Sequence, residues 1–542
     1  MPDNDLYPAV LHYHDRTKHH LDRYARSPGY LDWANQPNPF RFFEKSPKLR
    51  LPFLDQDAAS SYARLYGKGR TQKRSIELAA IAAFLELSMG LSAWKKYAES
   101  EWSLRMNPSS GNLHPTECTL LLPALEGRPA CVAHYNPLLH CLEVRAELEA
   151  RAARAWQGPP GFGLILSSIY WLEAWKYGEW ALRYCNLDVG HALAALRFAA
   201  NLSGWGLRLH PEVGDEQLDQ LLGFDRIEWP DTEEEQADCL CWVSDDEAVD
   251  PKAVSDWLHG LKIPRYQHMP NRLSRENRPW PIIQDTARAT RSPGFAAARA
   301  RANPRAVNAG LVAESSAEQI IRGRRSAQAF DPQASRIGLQ DFKSILRQTL
   351  AHGAAPFDAL PLGPDVHLAL FVHQVEDMRP GLYMLIRNPD HLAALRARLK
   401  SDFTWEPIAE DLPLYLLQAG DFRARAERIS CQQSIAGDSA FSMAMLARFE
   451  PLLRGAPWRY PRLYWEAGLI GQVLYLEAEA KGLRGTGIGC FFDDAMHELL
   501  GVKDHEWQDI YHFTVGAPVE DLRIQTKPAY HHLQTARQNP EK

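Results

Sequence analysis

The sequence predicts an α+β fold built twice: two tandem domains, each a central mixed sheet flanked by helices, meeting as an intramolecular pseudo-dimer. The first supporting observation is an internal repeat. Residues 187–223, LDVGHALAALRFAANLSGWGLRLHPEVGDEQLDQLLG, align without a gap on residues 465–501, WEAGLIGQVLYLEAEAKGLRGTGIGCFFDDAMHELLG, at a constant shift of 278. Asp188 falls on Glu466, Gly190 on Gly468, Leu196 on Leu474, Ala200 on Ala478, Gly204 on Gly482 and Asp215 on Asp493. The period is far too long for a solenoid, so it reads as domain duplication. The second observation is helical spacing within each copy. Leu469, Val473, Leu476 and Ala480 recur as a buried helix face, and Gly482 then offers a C-cap. The third is that each half closes on a β-rich segment, ADCLCWVS (237–244) and IYHFTVGAP (510–518). The expected division is 1–245 for the N-terminal domain, 246–315 for a Pro/Arg-rich linker and 316–542 for the C-terminal domain.

Composition narrows the function. Of 542 residues, 45% are apolar and 24% charged, an ordinary globular balance. The formal charge of −6 argues against a broadly basic nucleic-acid binder. Eight cysteines without a CxxC suggest reduced thiols and a cytoplasmic protein. The opening MPDNDLYPAVLHYHDRTKHH has no apolar core for a signal peptide. The apolar stretch Leu78–Trp94 is broken by Glu86, Ser88 and Ser92, so it reads as a buried helix rather than a membrane span. His12, His14, His19, His20, His531 and His532 lack partner ligands at metal spacing and read as surface histidines; no metal site is expected.

Familiar catalytic signatures are missing: there is no GxxxxGK[ST], HExxH or GxSxG. Gly485-Thr486-Gly487-Ile488-Gly489 fails as a dinucleotide loop, because Cys490 follows and a helix rather than a strand precedes. Three other segments carry more. Pro108-Ser109-Ser110-Gly111-Asn112, followed by Leu-His-Pro-Thr-Glu, offers backbone N–H groups and short polar side chains to a planar ligand, beyond what a plain turn needs. Arg324-Arg325-Ser326, ahead of a helix expected over Leu339–Leu350, suits a phosphate through bidentate guanidinium bonds; alone it could equally be a solvated basic turn. Lys176-Tyr177, in an aromatic-rich helix start, could move a proton if burial lowers the lysine pKa, or could be a snorkelling lysine.

Together these segments resemble the nitroreductase-like flavoproteins, and among them the SagB-type dehydrogenases that oxidise azolines to azoles. RRSAQAFD is similar to the family's flavin-phosphate motif and NPSSGNLHPTE to its middle motif. WKYGEWALRYCNLDVGH is similar to the Lys-Tyr segment that sets azoline dehydrogenases apart. EAGLIGQVLYLEAEAKGLRGTGIGCF is similar to the C-terminal helix and strand. The resemblance covers most of 10–245 and 315–525. It implies flavin mononucleotide (FMN) at a subunit interface. Arg324, Arg325 and Ser326 would hold the phosphate, and Gly485, Thr486 and Gly487 would lie near the isoalloxazine. Pro108, Ser109, Ser110 and Asn112 would reach from the other half. Lys176 and Tyr177 would be catalytic, and Arg523 would be a further phosphate candidate.

The two halves depart from the family pattern in complementary ways. The first keeps PSSGN and Lys-Tyr but has no clear RRS: no serine follows Arg64, and Lys73-Arg74-Ser75 abuts the next helix. It carries WGLRLHPE where the second carries GTGIGCF. The second keeps RRS and GTGIG, but offers only APFDALPLGPD for PSSGN, and Arg454-Gly455 for Lys-Tyr. The expectation is one complete composite site per chain and one decayed site. The implied reaction takes a proton to Lys176, or to Tyr177 assisted by it, and a hydride to flavin from a small-molecule or modified-peptide azoline. Backbone N–H groups near Gly487 would stabilise charge on the reduced flavin. The alternatives are an NAD(P)H-dependent nitroreductase or quinone reductase, and a non-catalytic flavin-binding protein. Further self-association of the pseudo-dimer remains open; nucleic-acid and membrane partners are not expected.

Overall fold

The computed structural model describes residues 6–54, 57–67, 73–147, 158–230, 232–246, 248–261, 263, 266, 268–296, 313–350 and 353–533. The first half supplies β1 (Lys48–Arg50), β2 (Leu91–Tyr97), β3 (Ser100–Arg105), β4 (Thr116–Leu122), β5 (Cys131–Asn136), β6 (Cys141–Glu147), β7 (Phe162–Ile169), β8 (Gly206–Leu209) and β9 (Glu235–Ser244). The second supplies β10 (Val366–Val372), β11 (Gly381–Leu385), β12 (Glu406–Pro407), β13 (Leu414–Ala419), β14 (Phe441–Arg448), β15 (Arg484–Ile488), β16 (Trp507–Gly516) and β17 (Gln525–Lys527). Two seven-stranded sheets form, ordered β1-β6-β5-β4-β7-β9-β8 and β12-β13-β11-β10-β14-β16-β15. Read along the sheet, β6-β5-β4-β7-β9-β8 corresponds strand for strand to β13-β11-β10-β14-β16-β15, which is the tandem α+β duplication expected from the repeat; only the edge strands differ, β1 coming before the rest of its sheet in the chain and β12 between β11 and β13.

The repeat's long helices, Ala181–Ser203 and Tyr460–Ala480, pack against each other at the centre and are buried on nearly every side. The aligned pair Gly190 and Gly468 marks their closest approach. A Cβ on Gly190 would meet the Trp465 carbonyl oxygen at 2.2 Å, and one on Gly468 would meet the Leu187 carbonyl oxygen at 2.2 Å. One hydrophobic core runs through both sheets' inner faces and this helix pair.

The chain ends are exchanged between halves. The opening helix Tyr7–Arg16 lies on the second half: His14 packs on Phe449 at 4.3 Å and bonds Gln508 at 3.1 Å, and Asp15 accepts from His505 at 3.0 Å. The C-terminal strand β17 pairs with β2, forming a third sheet β17-β2-β3, and Tyr530 Oη accepts from Leu91 N at 2.9 Å.

Several local expectations are corrected. His14 and His19 are buried rather than on the surface, and His19 stacks on Trp180 at 4.1 Å. No cluster of three or more metal-ligating side chains occurs among the described residues. The stretch 78–94 is not one helix: Leu78–Glu86 is helical, and the chain turns at Gly90 into β2. There a Cβ on Gly90 would strike both the Glu86 carbonyl and Tyr530. The connector contains two helices, Pro251–Gly260 and Pro281–Ala289; its Ala/Arg-rich residues 297–312 lie outside the described residues. Helix Pro281–Ala289 packs against Tyr7–Arg16 and closes the same way. Thr290 Oγ1 donates to the Thr286 carbonyl as Thr17 Oγ1 donates to Tyr13. The reduced-thiol expectation fails at one place, where Cys431 and Cys490, 59 residues apart, form a disulfide. No helix among the described residues is long and apolar enough to cross a membrane.

Candidate functional site

A cleft of about 770 Å3 opens where the two halves meet. That size lies in the ordinary range for cofactor sites. Pro108, Ser109, Ser110, Asn112, Tyr177, Arg324, Arg325, Ser326, Thr486 and Gly487 all line it. Motifs that the sequence scatters over nearly 400 residues thus share one wall-to-wall space.

The first half's contribution is a loop between β3 and β4. Gly111 and Asn112 are left-handed, with φ of 58° and 61°. Asn112 spans the loop, its Nδ2 donating to the Ser103 carbonyl at 2.9 Å and its Oδ1 pairing with His114 Nε2 at 2.9 Å. Ser109 Oγ accepts from His114 N at 2.8 Å. The loop is pinned to the long helix by Asp188, which accepts from Ser110 N and from Ser110 Oγ, both at 3.1 Å. Lys176 and Tyr177 end helix Tyr170–Tyr177 rather than starting one. A Cβ on Gly111 would meet Tyr177 Oη at 2.5 Å and Lys176 Nζ at 3.2 Å, so only glycine lets the pair close over the loop. Lys176 stays partly exposed, with Nζ 5.1 Å from the centre of the Tyr177 ring and 3.2 Å from where a Cβ on the cleft-lining Gly111 would be.

The second half contributes cations and a strand. Arg324, buried, stacks on Tyr475 at 5.1 Å and donates from Nη2 to the Arg105 carbonyl at 3.2 Å, across the interface. Arg325 is pushed down to about 10 by burial and by the charges of Arg324 and Arg484, which crowd the same corner. Ser326 Oγ bonds Tyr475 Oη at 2.8 Å, and the Ser326 backbone forms a parallel β-bridge with Gly485 on β15. Thr486 Oγ1 donates to the Ala327 carbonyl at 2.8 Å.

Three expectations are revised. Gly485 is behind the cleft surface, with the Phe513 ring 2.7 Å from where its Cβ would be. Gly487 N–H is already engaged, donating to Tyr475 Oη at 3.0 Å. Arg523 is off the site: its guanidinium is largely exposed, paired with Asp521 at 2.7 Å and resting over Tyr97.

The structure adds residues that the sequence reading missed. Asp188, fully buried, is pushed up to about 7 by desolvation, against the opposing hydrogen bonds of Ser109 and Ser110. Glu173 is also buried, and desolvation with Asp188 nearby raises its carboxyl well above the carboxylate range. Burial, Glu173 and Asp188 in turn raise the Tyr177 phenol far above its ordinary value, so it remains a donor at neutral pH. Tyr184, His191, Arg105, Lys95, Tyr475 and Arg484 also line the cleft, as does much of the C-terminal strap between Pro518 and Thr526.

A usable signal existed in the repeat. At the shift of 278, cleft-lining Tyr184, His191 and Tyr475 stand opposite residues of a different kind, Arg462, Leu469 and Arg197. In the mirrored position those substitutes are tied up. Arg462 is buried against Trp458 and Trp465, and Arg197 pairs with Asp358 at 2.8 Å. Glu466, the counterpart of Asp188, accepts from Asp365 N at 3.0 Å and pairs with Arg387. Leu209 stands for Gly487 in the register of β8 on β9. The same segment also takes up the connector: Phe295 N donates to the Pro211 carbonyl, and its ring stacks on Trp458 at 4.2 Å.

Comparison with known proteins agrees with this architecture. Residues 321–517 match the Nitroreductase family. The crystal structure of a candidate nitroreductase from Anabaena variabilis ATCC 29413 is similar over 94% of this chain and 99% of its own, at 20% identity and a TM-score of 0.69. A candidate nitroreductase from Ralstonia eutropha JMP134 is similar over 40% of this chain and 95% of its own, at 14% identity and a TM-score of 0.27. A chain of the E. coli microcin synthetase McbBCD complex covers 45% of this chain and 94% of its own, at 17% identity and a TM-score of 0.27. No curated protein sequence matches. The class is therefore a nitroreductase fold present twice in one chain, with a Nitroreductase-family domain in its second half.

Proposed function

We propose that the chain is an FMN-dependent oxidoreductase with one composite site, of the SagB-type dehydrogenase group, acting on an azoline-like small molecule or modified peptide. The observation that carries this reading is the convergence of each half's retained motif on one cleft, with the mirrored position filled. The cleft's chemistry suits FMN. Arg324 Nε, Asn107 Oδ1 and His114 Nδ1 are buried there with no hydrogen-bond partner, an arrangement that costs about 1–3 kcal/mol per group unless a ligand completes it. Three guanidiniums, Arg324, Arg325 and Arg484, with Lys95, make a corner for a phosphate, and their mutual repulsion is relieved by a dianion.

Bound FMN would supply the hydride acceptor. The protein's part is binding, orientation and proton handling. The Ser109–Asn112 loop, fixed by Asp188 and capped by Tyr177, presents a rigid polar edge. Tyr177, held protonated, donates a hydrogen bond. Lys176, above its ring, takes the substrate proton, with Asp188 poised near neutrality as a second proton-holding group.

The test is the visible spectrum of the purified full chain with released flavin identified and counted, followed by turnover on a thiazoline peptide and on NAD(P)H with a quinone. One FMN per chain with azoline oxidation is expected. Two FMN per chain would defeat the single composite site, and rapid bleaching by NAD(P)H without azoline turnover would move the protein to the reductases. Failure to bind flavin after reconstitution would remove the enzyme reading.

A further inference from the structure

We propose that the cystine Cys431–Cys490 is a second reactive centre of this chain, a thiol–disulfide exchange site on the rim of the cleft that takes low-molecular-weight thiols as its substrate. The remaining six cysteines, Cys118, Cys131, Cys141, Cys185, Cys239 and Cys241, are outside the disulfide and buried. Cys431 and Cys490 alone are partly exposed, and Cys490 lines the cleft beside Gly489 and Tyr184. A thiol entering the cleft therefore reaches one sulfur of the pair directly, and access is a first requirement for exchange.

Local geometry supports a bond that can open and close. The Cα atoms lie 5.8 Å apart, within the span that a disulfide closes without backbone movement. Cys431 and Gln432 hold φ of 52° and 60°, left-handed conformations that non-glycine residues adopt at a cost and that cluster at functional sites. The two segments are also joined independently of sulfur. Phe492 N donates to the Ile429 carbonyl at 2.8 Å, and Gln433 Nε2 donates to the Ser430 carbonyl at 2.8 Å and the Cys490 carbonyl at 3.2 Å. Gln433 itself lines the cleft. With the sulfur bond cut, these contacts hold both thiols in reach of each other, so the pair can close again in place by the reverse exchange, in which a small-molecule disulfide is reduced to two thiols.

The chemistry balances. The thiolate of the incoming thiol attacks Cys490 Sγ, the Cys431–Cys490 bond breaks, and Cys431 leaves as a thiolate that takes up a proton. A second thiol attacks the sulfur of the first on the mixed disulfide, releasing the small-molecule disulfide and leaving Cys490 reduced. Two small thiols are oxidised and one protein disulfide is reduced, with no further co-reactant.

The test uses the full chain under native conditions, with glutathione as the probe and peptide mapping after alkylation. Without reductant, no cysteine should be alkylated; after reduced glutathione, Cys431 and Cys490 should be, while the six buried cysteines stay protected. Alkylation of the pair before reduction, or none after it, overturns the proposal. The variant Cys431→Ser, checked for native circular dichroism, should then take up one glutathione at Cys490 from oxidised glutathione. A folded variant that remains unmodified overturns it equally, and a misfolded variant leaves the wild-type mapping to decide.

Discussion

Placing a methyl group where the two long helices cross tests whether the halves are as tightly joined as the site requires. In Gly190→Ala the new Cβ lies 2.2 Å from the Trp465 carbonyl oxygen, 2.8 Å from Trp465 Cα and 2.9 Å from Gly468 Cα. These are backbone atoms of a buried helix, so no rotamer change relieves them. Restoring an ordinary contact near 3.4 Å moves the helices apart by roughly 1 Å. Overpacking of this kind costs about 1–3 kcal/mol, and the backbone contact puts it at the upper end. Alanine's better helix propensity returns about 1 kcal/mol. The expected net loss is about 2 kcal/mol. For 542 residues unfolding as one unit, at about 2 cal/mol/K per residue, this lowers Tm by about 2 °C. Activity is the sharper readout. The moving helices carry Asp188 and His191 on one side and Tyr475 on the other. A misplacement of about 1 Å can cost ~100-fold in turnover. Gly468→Ala should behave alike, and the double variant should cost less than the sum, because one opening serves both. Gly455→Ala, with nothing within 4 Å, is the control. Differential scanning calorimetry with steady-state turnover checks this; a Gly190→Ala chain with unchanged Tm and turnover would refute the argument.

Three further predictions address the site and its frame. Arg324→Ala should weaken FMN binding by about 10–100-fold, the worth of a charged hydrogen bond, whereas Arg523→Ala should leave it unchanged; equilibrium dialysis compares them. Lys176→Ala should keep the flavin but slow substrate oxidation by ~10²–10⁴-fold, read as kcat by stopped flow, and turnover equal to wild type sinks its proton role. His134 is buried between Glu117 at 2.8 Å and Glu143 at 3.1 Å; desolvation lowers its pKa, but these carboxylates outweigh that and raise it to about 9. Its folded value lies above the unfolded one, so its contribution, of order 3 kcal/mol, is full below about pH 6.5 and is lost as pH rises through 9. Urea midpoints from pH 6 to 9.5 should fall for the wild type more steeply than for His134→Gln.

The duplicated α+β architecture was legible because the repeat keeps its register. Gly190 with Gly468 and Asp188 with Glu466 recur for the same physical reasons, a helix crossing and a carboxylate that caps a loop's N–H groups. The segments Pro108–Asn112, Arg324–Ser326 and Lys176-Tyr177 were equally legible, because short polar side chains, glycine and paired arginines are costly to arrange without a ligand. Sequence could not show which of them reach the cleft surface. Gly485 and Arg523 lie at plausible spacings but are removed by packing and by a local ion pair. Asp188 looked like any helical aspartate until burial raised its pKa, and desolvation is a property of the surroundings, not of the residue. Cys431 and Cys490 carry no spacing motif, and the mirrored position is filled by Arg462 and a connector segment that nothing local announces. The sequence by itself determined the duplication, the fold class and the chemistry each half retains. Tertiary structure decided which residues share the cleft, which carboxylates hold protons and which sulfurs meet, because each of those depends on distances between segments that the chain brings together only when both halves close around one core.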